Sequence, residues 1–125
     1  MHLDDLRRYC LSKPGAFEDQ PFGPDVLVFK VAGARREAAR MFAITNLEKL
    51  PDAEVGLKCD PERALSLREE YEGVFPGPYL NKKHWNYVAL RGDVPAGVIR
   101  ELVDHSYDLV VAGLPRRERE RLGRG

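Results

Sequence analysis

Two cysteines in 125 residues, Cys10 and Cys59, are too few for a disulfide framework, and neither belongs to a Cys-x-x-Cys pair or lies at zinc-ligand spacing from a histidine. Reduced thiols in a cytoplasmic setting are expected, with no structural metal. No apolar run approaches the roughly 18 residues of a membrane span, and Met1 to Arg8 is charged where a secretory signal needs an apolar core. The chain therefore reads as soluble, unprocessed and without membrane contact. An excess of charge of either sign is missing as well: 20 Lys and Arg balance 20 Asp and Glu. That excludes a uniformly basic nucleic-acid binder, so any such binding must come from cations segregated along the chain. The glycines form neither a Walker loop nor a dinucleotide fingerprint, which leaves nucleotides without a phosphate cradle.

What is present fits one domain over residues 1–114, followed by a basic tail over 115–125, since compact domains run to roughly 100 to 150 residues. Leu3, Leu6 and Cys10 recur at helical steps behind Asp4 and Asp5, predicting a first helix over about 2–13 that Pro14 and Gly15 stop. From Ala16 to Leu57 the pattern turns to short extended pieces between turn residues: strands at Val26 to Val31, Met41 to Thr45 and Val55 to Cys59. Asp60-Pro61-Glu62 is a helix start, with a capping carboxylate before a proline that loses nothing at the first helical position. That second helix is expected to reach about Tyr71. Glu72 to Pro78 holds too many glycines and prolines for regular structure, and Trp85 to Leu90 reads as a last strand. A long helix is predicted over about 95–113, with Leu102, Val103, Leu109 and Val110 inward and His105 exposed. The tail, with five arginines, two glutamates and almost no apolar residue, is expected to be frayed or a short exposed helical extension. Strands that follow one another without helical crossovers predict an α+β fold, an antiparallel sheet with helices packed on one face.

Catalytic chemistry finds little support. His105 and Asp108 lie three apart on one helix, the spacing of an ordinary solvated surface pair, and neither cysteine has a base beside it. The charge pattern says more: Lys30 to Arg40 carries a net +3, Tyr79 to Asn86 a net +2 and Pro115 to Gly125 a net +3, so the rest of the chain is acidic. Whether these windows meet in space is a question for the structure. The densest cluster is Asn81-Lys82-Lys83-His84-Trp85-Asn86, where lysines suit phosphates, asparagine suits a base edge and tryptophan can stack. A second reading makes Trp85 a hairpin anchor and Asn86 a partner for backbone at the start of the strand.

The same cluster, with Leu90 and Gly92 after it and Asp104-His105-Ser106-Tyr107-Asp108-Leu109-Val110 further on, resembles the MmcQ/YjbR family. Leu57-Lys58-Cys59-Asp60 and the Met41-Phe42-Ala43-Ile44 strand resemble it too, so the likeness spans Leu3 to Leu114. It implies a small bacterial protein with a frataxin-like α/β sandwich and a role as a DNA-binding protein with wing-like hairpins. One departure stands out: Ala34 to Arg40 lengthens a turn that is tight in typical members, and this either enlarges a basic wing or is a neutral loop insertion.

The expected function is therefore non-enzymatic DNA binding by a cytoplasmic monomer without cofactor or metal. The candidate contacts are Arg35, Arg36, Arg40, Lys82, Lys83, Trp85 and Asn86. The alternative is an adaptor module whose positive patches face an acidic protein partner. Iron binding, which frataxin-like architecture brings to mind, lacks the acidic ridge that a hard cation needs: Asp4 and Asp5 are followed at once by Arg7 and Arg8.

Overall fold

The computed structural model describes residues 1–125. Helix α1 (Leu3–Leu11) leads into strands β1 (Ala16–Asp19), β2 (Val26–Val31), β3 (Arg40–Asn46) and β4 (Glu54–Lys58). Helix α2 (Pro61–Glu70), strands β5 (Val74–Phe75) and β6 (Trp85–Ala89), and helices α3 (Ala96–Ala112) and α4 (Arg116–Arg121) complete the chain. The six strands form one sheet in the order β1-β2-β3-β4-β6-β5, and every neighbouring pair is antiparallel. The fold class is thus α+β, as the strand run implies. No helix is long and apolar enough to cross a membrane.

Alternation along the strands decides which face is covered. Phe29, Val31, Ala43, Val55, Leu57 and Val88 belong to one buried cluster together with Leu6 and Cys10 of α1 and Ile99, Leu102 and Val103 of α3. The Tyr9 hydroxyl donates to Asp104 Oδ1 at 2.6 Å and the Tyr107 hydroxyl donates to the Pro14 carbonyl, so α1 and α3 are tied across the same face. The opposite face, with Met41, Ile44 and Tyr87, is only partly covered. As expected, Asp60 caps α2, its carboxylate accepting the Arg63 N–H at 3.1 Å.

Three expectations need correction. The Glu72 to Pro78 stretch is not wholly irregular, because Val74 and Phe75 pair with Val88 and Tyr87 as the edge strand β5; two residues suffice where only one neighbour is needed. Leu109 is half-buried rather than inward, since it sits at the margin of the stripe that Leu102, Val103 and Val110 bury. The tail is helical but not loose. Glu118 of α4 is 2 % exposed, and its Oε1 accepts the backbone N–H groups of Gly33, Ala34 and Arg35 at 2.9, 3.0 and 3.2 Å. Those hydrogen bonds hold its carboxyl below the usual range, with the Ala34 N–H contributing most. Gly33 is required there, because a Cβ would lie 2.0 Å from the Glu118 carbonyl oxygen.

Candidate nucleic-acid interface

Antiparallel pairing sets which loops share an end of the sheet. Arg40 begins β3 opposite Val31, the last residue of β2, and Lys58 ends β4 opposite Trp85, the first residue of β6. The 32–39 loop, the end of β4 and the 81–84 turn therefore gather at one end. Helix α4 docks there through Glu118, which brings the third basic window to the same place. The three positive segments that are separate in sequence share one end of the sheet.

A bulge in the β2–β3 ladder and the early stop of the β3–β4 ladder shape this end. Between Phe29 and Lys30 the register with β3 shifts, leaving Phe42 as the extra residue of a bulge. The buried Ser106 hydroxyl of α3 enters where the ladder stops, accepting the Lys58 N–H at 2.9 Å and donating to the Phe42 carbonyl at 2.6 Å. Beyond it β3 and β4 no longer pair, and a groove of about 440 Å³ opens, lined by Arg40, Met41, Lys58 and Trp85 and closed by Val110 and Gly113. The lining contains no carboxylate. The C-terminal end of α3 lies against it, and its partial negative charge offsets some of the repulsion among the cations.

Among the nine ion pairs of the chain, none involves Arg36, Arg40, Lys58, Lys82 or Lys83. Arg36 lies over the Phe17 ring with its guanidinium carbon 4.1 Å from the ring centre, an arrangement that keeps its charge available. Arg35 instead pairs with Glu37 at 3.5 Å, an exposed contact of little energetic consequence. Lys82 and Lys83 are exposed on the turn, where Asn81 Oδ1 accepts the Lys83 N–H.

Asn86 leaves the candidate set. It is 2 % exposed; its Oδ1 accepts from Arg68 Nε at 2.6 Å and its amide donates to the Ala64 carbonyl. Buried, with its oxygen and its amide each engaged inside the fold, it presents no edge to a base. Arg68 also donates to the carbonyls of Lys82 and Trp85, so one guanidinium on α2 fixes the whole 82–86 segment. Sequence reasoning missed Arg68 and Lys58. The first lies in an unremarkable helix, whereas the second could have been found from its place at the end of a strand paired with Trp85.

Other chemistry is scarce. His105 is not a free surface group: its Nε2 accepts the Asp60 N–H at 3.0 Å, and burial, then the nearby Arg63, lower its pKa. Burial pushes the Cys10 thiol up to about 12, far from a reactive thiolate. No group of three or more His, Cys, Asp or Glu side chains is placed to hold a metal ion.

The family model for YjbR matches residues 11–109 of the chain. The Escherichia coli K12 "Uncharacterized protein YjbR" is 36 % identical over 122 residues, covering 98 % of each chain. "Uncharacterized protein YbdF" of Escherichia coli O157:H7 is 32 % identical over 123 residues, or 98 % of this chain and 94 % of that one. Among solved structures, the Deinococcus radiodurans protein DR2400, with a DUF419 domain, superposes with a TM-score of 0.88 at 42 % identity, covering 98 % of this chain and 88 % of its own. A Pseudomonas syringae protein follows with a TM-score of 0.73 at 27 % identity, over 88 % of this chain and 99 % of its own.

Proposed function

The chain belongs to the YjbR family, and we propose that this member is a non-enzymatic DNA-binding protein that grips the phosphate backbone with the cationic end of its sheet. The observation that carries the reading is that Arg40 and Lys58 line one groove without a carboxylate, at the end of the sheet that also carries the loop of Arg36 and the turn of Lys82 and Lys83, with all five outside every ion pair in a chain whose net charge is zero. Cations without carboxylate partners repel one another, and a polyanion relieves that repulsion while releasing its own condensed counterions. The half-buried Trp85, beside Lys58 in the lining of the groove, offers an aromatic face to sugar or base beside the phosphates. Backbone contacts of this kind position a duplex without reading its sequence, so binding is expected to be modest, salt-sensitive and weakly selective.

Titration of a labelled duplex at several salt concentrations tests this. Replacing Lys82 and Lys83 together by Ala should weaken binding alike for all sequences and lower the salt slope by about 2, one for each lost phosphate contact. Arg40→Ala should act in the same direction, whereas Arg100→Ala, an exposed cation near the start of α3 at the other end of the molecule, should leave the slope unchanged. A folded wild type that binds no duplex at low salt overturns the reading, and capture of an acidic protein partner by the same lysines would put the adaptor role in its place.

A further inference from the structure

We propose that the hollow at the other end of the open sheet face is a binding site for a small, flat, net-neutral aromatic molecule. Val26, Met41, Ile44 and Tyr87 form its floor, and Phe22, from the β1–β2 turn, and Tyr79 wall it. Its volume of about 610 Å³ lies within the roughly 300 to 1,000 Å³ of typical small-ligand sites. Only Met41 is shared with the cationic groove, and nothing in the argument depends on DNA binding.

The hollow is built rather than left over. Gly56 sits at the centre of the sheet beneath it, where a Cβ would come 2.8 Å from both Ile44 Cγ2 and Leu80 Cδ1. The missing side chain is what lets Leu80 come down onto β4 and hold the 76–80 connection upright as a wall. Behind the floor, Phe75 stacks on Tyr87 with ring centres 6.0 Å apart and planes within 12°, which fixes the Tyr87 ring. A globular chain ordinarily turns large aromatics inward, yet Phe22 is 67 % and Tyr79 90 % exposed, and both stand at this mouth. Two exposed rings in the lining of one apolar hollow suit a flat guest that stacks on them.

The charged groups choose among guests. Lys49 and Glu54 are the only ionised side chains in the lining, and they pair with each other at 2.5 Å. Their charges cancel, so a guest of either sign finds no net opposite charge to offset its lost hydration, while a neutral molecule gives up none. The Tyr87 hydroxyl makes no hydrogen bond within the protein, and burial keeps its phenol in the neutral, donating form, so a guest with a hydroxyl or carbonyl has a partner. A broad, flat protein surface is a poorer match, because walls on two sides keep it from reaching the floor.

The test is a 1H–15N NMR titration of the full chain with 2-naphthol, with 2-naphthoate and 2-naphthylmethylammonium as its charged counterparts. Saturable shifts confined to the amides of Asn46, Glu54, Gly56, Leu80 and Tyr87, with 2-naphthol tightest by about fivefold as expected for one unmatched charge, support the site. Lys49→Met should move the preference towards the ammonium and Glu54→Gln towards the carboxylate, a reversal that loss of fold cannot mimic. Ile44→Trp should fill the floor and abolish binding, and Tyr79→Ala at the exposed rim should weaken it without disturbing the rest of the spectrum. Shifts that are absent at millimolar 2-naphthol, spread over the whole surface, or unchanged in Ile44→Trp overturn the proposal. So does a concentration-dependent dimer that already covers these amides in the absence of the naphthalenes.

Discussion

The two ends of the sheet are made from the same strands and treat charge in opposite ways. Where β3 begins, Arg40 and Lys58 line a groove without a carboxylate; where it finishes, Lys49 and Glu54 neutralise each other beside an apolar hollow. The face turned towards α1 and α3 is by contrast a continuous apolar cluster. The difference teaches where freedom lies in this architecture. Core-facing positions must satisfy packing, whereas the outward positions of the same strands can be specialised end by end, because a neighbour two residues along a strand lies on the same face but almost 7 Å away.

The comparison breaks most completely when the scaffold common to both ends is weakened. Leu102 is 3 % exposed at the centre of α3, and Leu102→Ala should cost about 2 to 5 kcal/mol, depending on how far the cavity collapses. Chemical denaturation would show the midpoint falling for the whole domain, with no end spared. An unchanged midpoint would mean that α3 packs by another face.

Ser106→Ala sharpens the comparison, since it acts at one end only. Without the hydroxyl, the Lys58 N–H and the Phe42 carbonyl lose their partner inside the fold, at a cost of about 1 to 3 kcal/mol. Hydrogen exchange at the Lys58 amide should accelerate while the Gly56 amide, two residues along the same strand, keeps its protection. Equal loss at both positions would contradict a local bridge.

The smallest effect is pH-dependent. The pKa of His105 is lowered from its ordinary 6.5 by burial and by Arg63, against the opposing pull of Asp60 and Asp108, and its neutral Nε2 accepts the Asp60 N–H. Its contribution to stability is fully present above about pH 6.5, the unfolded value, and is lost as pH falls through the lower folded value. His105→Gln, which carries no titrating group, should flatten that part of the denaturation-midpoint profile; a profile identical to wild type would remove His105 from the account.

Some of this was legible in the residues and some could not be. Helix α3 declares itself because apolar residues keep one period for 17 residues, and Asp60-Pro61 declares the start of α2 because capping is local. The docking of α4 is invisible for the opposite reason. A segment of arginines and glutamates reads as solvated, and only the three N–H groups of a loop more than 80 residues away reveal that one glutamate is an anchor. Asn86 shows the same limit at the site: beside two lysines and a tryptophan it reads as a recognition residue, and its burial under Arg68 is a tertiary fact. The three basic windows were legible as charge. Their meeting at one end followed only once strand order and register were known.

The most direct measurement of the central claim is an NMR footprint of a short duplex on the 15N-labelled chain at low salt. The amides of Arg36, Arg40, Lys58, Lys83 and Trp85 should shift saturably and return when salt is raised, while those of Ile44, Asn46, Glu54 and Gly56 stay still. Shifts confined to the apolar end, or no shifts at any salt concentration with the protein folded, would contradict the assignment of DNA binding to the cationic end.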